Sequence, residues 1–336
     1  MVSASGISRR HMLAISAAGG LALANSRVAR AQAAKRIDPF APEFDKVIST
    51  TEPILELATG FGGGGNTEGP VWWKEGGYLL FNSIGENRRI KYTPGQGTSV
   101  AKEPTNGANG LTRDPQGRLV SCEGLTRRVT REEADGSITV IANSFQGHRL
   151  NKPNDVVVKS DGSTYFTDPW NIPALPQQWD LSYNGVFRVS PDLGTISLLV
   201  DHLILPNGLA FSPDESVLYI NDSRRRHILA FDVLPNGLLA KQTERVFVDL
   251  AGTEPGGPDG MKVDIAGNVY CGGPGGIYVM DPKGKKLGRI VHGNPQTTNL
   301  AFGGDDWRTL YFTSRTTLGS VRVKIPGVPV PAAKRA

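Results

Sequence analysis

The feature that most constrains this chain is a pattern that it repeats six times. A polar residue opens an apolar strand, a turn of the Asp-Gly or Pro-Gln-Gly kind follows, and a second apolar strand ends the unit. The copies are EGPVWWKEGGYLLFNS from Glu68, NGLTRDPQGRLVSCE from Asn109, NDVVVKSDGSTYFTDP from Asn154, NGLAFSPDESVLYINDS from Asn207, DGMKVDIAGNVYCGG from Asp259 and NLAFGGDDWRTLYFTS from Asn299. Successive copies start 41, 45, 53, 52 and 40 residues apart. That period, with a hairpin between turn signals in each copy, is the spacing of four-stranded propeller blades. Runs such as GVFRVS (185–190), HILAFDV (227–233) and GIYVMD (276–281) supply outer strands. The 41 glycines and 23 prolines suit short strands and tight turns rather than long helices. The expected fold is an all-β, six-bladed β-propeller, with residues about 48–58 giving a strand to the last blade to close the ring.

The first residues read as an address rather than as fold. Ser8-Arg9-Arg10-His11-Met12-Leu13 sets paired arginines ahead of an apolar, small-residue stretch that runs to about Ala24, and Ala31-Gln32-Ala33 forms a small-x-small cleavage site. This is the pattern of twin-arginine export to the periplasm; an ordinary secretory signal or an uncleaved anchor are the alternatives, although the apolar stretch is short for an anchor. The expected organisation is a signal peptide at 1–33, an N-terminal linker at 34–50, the propeller at 51–326 and a C-terminal tail at 327–336. Arg9, Arg10, Arg27 and Arg30 are the only charges in 1–33, so the remainder has 33 basic residues against 32 acidic ones. No basic stripe remains to bind nucleic acid, and nothing after the signal has the apolar length of a membrane span.

Propeller geometry gives the repeat a functional meaning. Equivalent positions in the blades lie at one height around the axis, and the start of the innermost strand is nearest the channel. Glu68, Asn109, Asn154, Asn207, Asp259 and Asn299 occupy that position or its near neighbour. Any single Asn-Gly or Asp-Gly is a turn signal, but six oxygen-bearing side chains in phase form a ring that is costly to bury unless something satisfies it. A hard divalent cation does so, Ca²⁺ first, with Mn²⁺, Mg²⁺, Zn²⁺ or Fe²⁺ as alternatives; the ring has none of the histidine or cysteine ligands of an ordinary zinc site. The expected metal centre therefore lies in the central channel.

The strings EGPVWW (68–73), RLNKPNDVVVKSDGSTYFTDP (149–169), LPNGLAFSPDESVLYINDS (205–223) and PDGMKVDIAGNVY (258–270) resemble the regucalcin/gluconolactonase family of six-bladed propeller lactonases, over roughly Pro53 to Val323. The resemblance implies metal ligands at Glu68, Asn207 and Asp259, with Asn154 near metal and substrate, and a catalytic role for Asp259, as ligand and base, and for Asn154. Lys152 stands where the regucalcin branch has an arginine, so sugar contacts differ there.

The implied reaction is hydrolysis of a sugar lactone, in which the cation polarises the carbonyl and activates water while a carboxylate takes its proton. Asp155 is a second candidate base, although strand alternation would turn it away from Asn154 and towards solvent. Asn109 and Asn299 are read as substrate contacts or as channel lining. Asp168 and Asp222 are read chiefly as turn organisers. The segment 169–184 interrupts blade three, and Trp170, Trp179 and Tyr183 in it either stack on a sugar or pack the loop down. Arg224-Arg225-Arg226 is read as a solvated loop and His148 as a loop histidine. Cys122 and Cys271 fall on equivalent strands of opposite blades, too far apart for a disulfide, and are expected to be free and buried. Aryl-ester or phosphotriester hydrolysis at the same site, and a binding module with a structural metal, are the competing functions.

Overall fold

The structure is a computed structural model that describes residues 34–170, 180–294 and 296–331. Six antiparallel sheets stand around one axis. Blade one is built from Thr67–Trp73, Tyr78–Ser83, Arg88–Thr93 and Gly97–Lys102, and blade two from Ala108–Arg113, Leu119–Glu123, Arg128–Glu132 and Ile138–Ala142. Blades three and four start at Val156–Val158 and Pro206–Phe211, and blades five and six at Met261–Val263 and Thr297–Gly303. The innermost strand of each blade contacts those of both neighbours, the last touching the first. Among the described residues no helix is long and apolar enough to cross a membrane.

The ring closes as the repeat implies. Leu55–Thr59 pairs antiparallel with Thr317–Arg322 as the outer strand of blade six, so both ends of the propeller share one sheet. The segment 34–50 adds Arg36–Pro39 as a fifth strand on blade five, paired with Lys286–Val291, and then a short 3₁₀ turn at Pro42–Lys46 that buries Phe44. Gly288 makes room for that ring, since a Cβ there would enter it. The segment 1–33, read from the sequence as a signal, lies outside the described residues. Of the tail, Gly327 bridges to Asp264, and the Val328 N–H donates to Val263 O at 3.0 Å.

Apolar burial is concentrated between blades. Leu209, Leu218, Ile220 and Phe231 of blade four pack on Tyr165 and Val186 of blade three, and the largest cluster joins blades five, six and one with Phe44, Val47 and Ile48. Period-two alternation therefore serves two interfaces in each blade, which is why inner strands read as mostly apolar. The exception is the start of the inner strand in blades one, two, four and six, where the pairing register slips: between Glu68 and Val71, Ala108 and Leu111, Pro206 and Leu209, and Thr297 and Asn299. In blades three and five the ring residue precedes a strand that pairs regularly. Bulges at the four slips free those strand starts from strict alternation and turn their side chains to the axis.

Candidate active site

Close approach between neighbouring blades explains the glycine after the ring residue in four blades, which is a packing device rather than a hairpin turn. A Cβ on Gly69 would press into Asn109 O of the next blade, and one on Gly208 into Asp259 O. At Gly110 it would lie 2.7 Å from Asn154 O and 2.5 Å from Asp155 Oδ1, and at Gly260 it would enter the Asn299 amide. Blades touch backbone to backbone at the axis only because these positions carry no side chain. Blades three and six depart from the pattern, with Asp155 and Leu300 where the other four place glycine.

The ring is a connected network. Asn109 Nδ2 donates to Asn154 Oδ1, Asn154 Nδ2 donates to Asn207 Oδ1 at 2.8 Å, and the Asn207 side chain hydrogen-bonds Asp259. The amides are thus threaded in one direction, from blade two to the carboxylate of blade five. Glu68 closes the circle from blade one: it faces Asp259 and Asp155 and is hydrogen-bonded by Asn299. Asn299 Nδ2 also reaches Asp155 Oδ2 across the axis at 3.3 Å, and its Oδ1 accepts from Lys262 Nζ at 3.4 Å. Gln296 Nε2 donates to Asp259 Oδ2 at 3.1 Å.

Side chains from the neighbouring blades hold the backbone of this ring. Asn82 Nδ2 donates to Asn109 O at 2.7 Å, Thr167 Oγ1 to Asn207 O at 2.7 Å, and Asn221 Nδ2 to Asp259 O. Each comes from the second strand of one blade and reaches the ring residue of the next, so the ring side chains are fixed from behind. Cys122 and Cys271 stand at the matching positions of blades two and five. Both are free and buried, as the blade assignment requires. Burial raises both thiols, Cys271 to about 12, which leaves them unreactive packing groups.

Glu68, Asp155 and Asp259 are only 4, 2 and 6 % exposed. Burial raises all three, Glu68 well above its ordinary value and Asp259 to about 8. Mutual repulsion adds to the rise at Glu68 and Asp259, while Lys262 draws Asp155 back down. The alternation argument for Asp155 does not hold. Residues 154 and 155 precede the strand that begins at Val156, and both turn inwards: Asp155 N–H donates to Thr167 Oγ1 at 3.1 Å, and its carboxylate is buried at the axis rather than solvated.

This donor set fits a hard divalent cation. Among the described residues no three His, Cys, Asp or Glu converge as a metal cluster; the mouth instead combines the carboxylates of Glu68 and Asp259 with the amide oxygens of Asn154 and Asn207. Ca²⁺ accepts such mixed oxygen ligands. Buried carboxylates that repel one another are the groups whose charge a cation would balance.

The remaining candidates fall around this mouth. Lys152 lies over Gly124 of blade two, where an added Cβ would meet its Cε at 2.9 Å. Asp168 is fully buried and pushed up to about 7 by burial; its Oδ2 accepts from the Asn151 N–H at 2.7 Å, and it also accepts from the Lys152 N–H, so it fixes the loop that carries Lys152 and Asn154. Asp222 accepts from the N–H groups of Ile204, Leu205, Arg224 and Arg225, a turn organiser as read. The Trp170 backbone N–H donates to Asn184 Oδ1 at 2.8 Å, and its ring lies 5.3 Å from the Arg127 guanidinium. His148 is exposed on a two-stranded ribbon with Ser144–Phe145. Trp179 and most of the insertion fall outside the described residues. Lys262 and Gln296 were not legible as site residues, because the repeat marks only strand starts, and these lie three residues to either side of one.

A six-bladed propeller with a carboxylate–amide ring at one mouth is the class that fold and site define. The chain belongs to the SMP-30/Gluconolactonase/LRE-like family, whose pattern residues 66–316 match. It is 33% identical over 320 residues to the gluconolactonase of Zymomonas mobilis subsp. mobilis, with 87% of each chain covered. A gluconolactonase from Xanthomonas campestris shares the fold with a TM-score of 0.77 at 29% identity, over 87% of this chain and 96% of that one. Regucalcin of Agrobacterium tumefaciens, a calcium-binding protein, is alike in fold alone, at TM-score 0.70 and 20% identity, over 85% of this chain and 98% of that one.

Proposed function

We propose that this protein is a metal-dependent lactonase that opens a sugar lactone of the gluconolactone type at the carboxylate–amide mouth. The observation that carries the proposal is the oxygen-only ring of Glu68, Asn154, Asn207 and Asp259, threaded by hydrogen bonds and buried at the channel axis. The gluconolactonase of Zymomonas mobilis is a relative along most of its length.

Glu68, Asn154, Asn207 and Asp259 would hold the ion, Ca²⁺ being the first candidate. When bound, a divalent cation polarises the ester carbonyl and acidifies a water. Hydrolysis adds the water oxygen to the carbonyl carbon and breaks the ring C–O bond, leaving a hydroxy acid. Asp259 takes the proton that the water gives up and returns it to the departing ring oxygen. Its Oδ2 is steadied by Gln296, and Asn207 bonds the same carboxylate, so its orientation is set before substrate arrives. Asn154 is fixed by Asn109 on one side and Asn207 on the other. Lys152, held by the Asp168-capped loop, presents an ammonium to the sugar hydroxyls.

The test is turnover of glucono-1,5-lactone and a panel of other lactones, aryl esters and phosphotriesters, with and without a chelator. Chelator-sensitive opening of a sugar lactone, restored by one divalent cation, is expected. Turnover of aryl esters alone would move the substrate class, and a tightly bound metal with no turnover would make the propeller a binding module. We also propose that Arg9 and Arg10 direct the folded protein through the twin-arginine machinery to the periplasm. Lysines at both positions should hold the precursor in the cytoplasm, and unchanged export would sink this reading.

A further inference from the structure

Lys262 has a placement that ligand chemistry alone does not explain. It follows Asp259 by three residues on the inner strand of blade five. Its stem lines an apolar cavity at the far end of the channel, among Val263, Ala210 and Phe302. The ammonium is held by Met261 O at 3.0 Å and Asn299 Oδ1 at 3.4 Å. Both partners are neutral oxygens, so the charge of the lysine acts through space, on Asp155 beyond Asn299. Asn299 joins them: its side chain hydrogen-bonds Glu68 and Asp155 and accepts from Lys262. A long side chain thus runs along an apolar wall to set one positive charge behind Asn299 and Asp155, at the edge of the carboxylate group.

We infer that Lys262 sets the valence of ion that this mouth accepts: with an ion bound and the carboxyls ionised, Glu68, Asp155 and Asp259 contribute three negative charges, and one lysine with one divalent cation brings the group to neutrality. The inference rests on the metal reading above and adds to it a residue that touches neither ion nor substrate. A triply charged ion would leave the buried group with a net positive charge, and a site without the lysine would leave a divalent complex with a net negative one. In a low-dielectric channel an uncompensated unit charge is costly, so the lysine works against tight binding of trivalent ions and moderates binding of divalent ones.

The experiment is calorimetric titration of the full chain, stripped with chelator, using Ca²⁺ alone and La³⁺ alone, in wild type and in Lys262→Met, Lys262→Arg, Asp155→Asn and the Lys262→Met/Asp155→Asn pair. Coulomb energy scales with ion charge, so a change that tightens Ca²⁺ about tenfold tightens La³⁺ about thirtyfold. Lys262→Met is therefore expected to bind both ions more tightly and to raise the La³⁺ to Ca²⁺ affinity ratio about threefold. Lys262→Arg keeps the wild-type ratio. Asp155→Asn moves both affinities and the ratio the other way, and the double variant, neutral again, returns the ratio to wild type. That return holds the test open even if one single variant folds poorly. An unchanged ratio in Lys262→Met, or a double variant that does not restore it, would overturn the inference while leaving the metal site standing. A wild-type chain that binds neither ion would instead remove the metal reading, and this inference with it.

Discussion

The two ends of the axial channel are made from the same six strands, yet they differ in almost every physical respect. At the starts of most of the strands the chain slips register, places glycine against neighbouring backbone, and turns carboxylates and amides to the axis. At their far ends regular pairing resumes, and Val71, Leu111, Val157, Phe211, Val263 and Phe302 surround an apolar cavity of about 360 Å³, with Val328–Val330 of the tail across it. One end is costly to fold and needs side chains from the neighbouring blades to hold it. The other is an extension of the core between blades. Function and stability are thus separated along each strand, and substitutions at the two ends should have different signatures.

The largest contrast is expected from the ring carboxylates. Asp259→Asn and Glu68→Gln each remove one of the buried charges. Both variants are expected to lose turnover on the order of a thousandfold, together with cation binding. With chelator present, however, the same variants should melt above wild type, because repulsion among Glu68, Asp155 and Asp259 is relieved. Calorimetric melting beside lactone turnover checks both halves. A variant that loses activity and also melts lower in the apo state would mean that the carboxylates support the fold.

Next in size is a pH effect at the loop that carries Gln296. His292 is buried against Phe312, accepts the Asn294 N–H at Nδ1 at 3.4 Å, and donates from Nε2 to Thr297 Oγ1 at 2.7 Å. Burial lowers it from its ordinary 6.5 to about 4, so it is neutral in the folded chain. Between these values the unfolded chain binds the extra proton. Stability is therefore fully present above pH 6.5 and falls as pH drops towards 4, by about 3 kcal/mol for this group. Denaturant unfolding from pH 7 to pH 4 reads the slope. His292→Gln should flatten it, and a slope that survives the substitution would place the titration elsewhere.

Most of the fold was legible because the repeat encodes it: six strand pairs and their order follow from spacing and alternation, while the closing strand, expected at about 48–58 because a propeller must close its ring, lies at Leu55–Thr59. The ring was legible for the same reason, since Glu68, Asn109, Asn154, Asn207, Asp259 and Asn299 hold equivalent positions. What spacing did not carry was the bulge. Alternation assumes a regular strand, and it misplaced Asp155, which sits ahead of its strand and faces the axis. Nor did spacing say what the glycine after the ring residue is for: in four blades it clears room for the backbone of the next blade. Arg36–Pro39 was read as linker because an edge strand of four residues, with a proline, has too little pattern to stand out.

Gly208→Ala tests the bulge directly, with a smaller expected effect. The added methyl meets Asp259 O and comes within 2.9 Å of Gly260 Cα, both backbone that cannot rotate away. Overpacking of this kind costs about 2 kcal/mol. Because the displaced atoms belong to Asp259, cation affinity should fall along with the melting temperature. Stability lost without any change in cation binding would separate the glycine from the site.

The smallest effect belongs to the far end and completes the contrast. Phe211 lines the apolar cavity and meets Tyr165 edge-on at 4.9 Å. Phe211→Leu gives up that aromatic pair and part of the packing, for about 1 kcal/mol. It lies on the same strand as Asn207, four residues on, but beyond the bulge, where pairing of Leu209, Ala210 and Phe211 with Ile220, Tyr219 and Leu218 is regular. A regular ladder absorbs a side-chain change without moving its backbone, so the Asn207 amide should stay in place. Melting should drop slightly while cation affinity and lactone turnover match wild type. If instead Phe211→Leu lowers cation affinity as Gly208→Ala is expected to, the two ends are mechanically coupled through the strand, and the division between them fails at blade four.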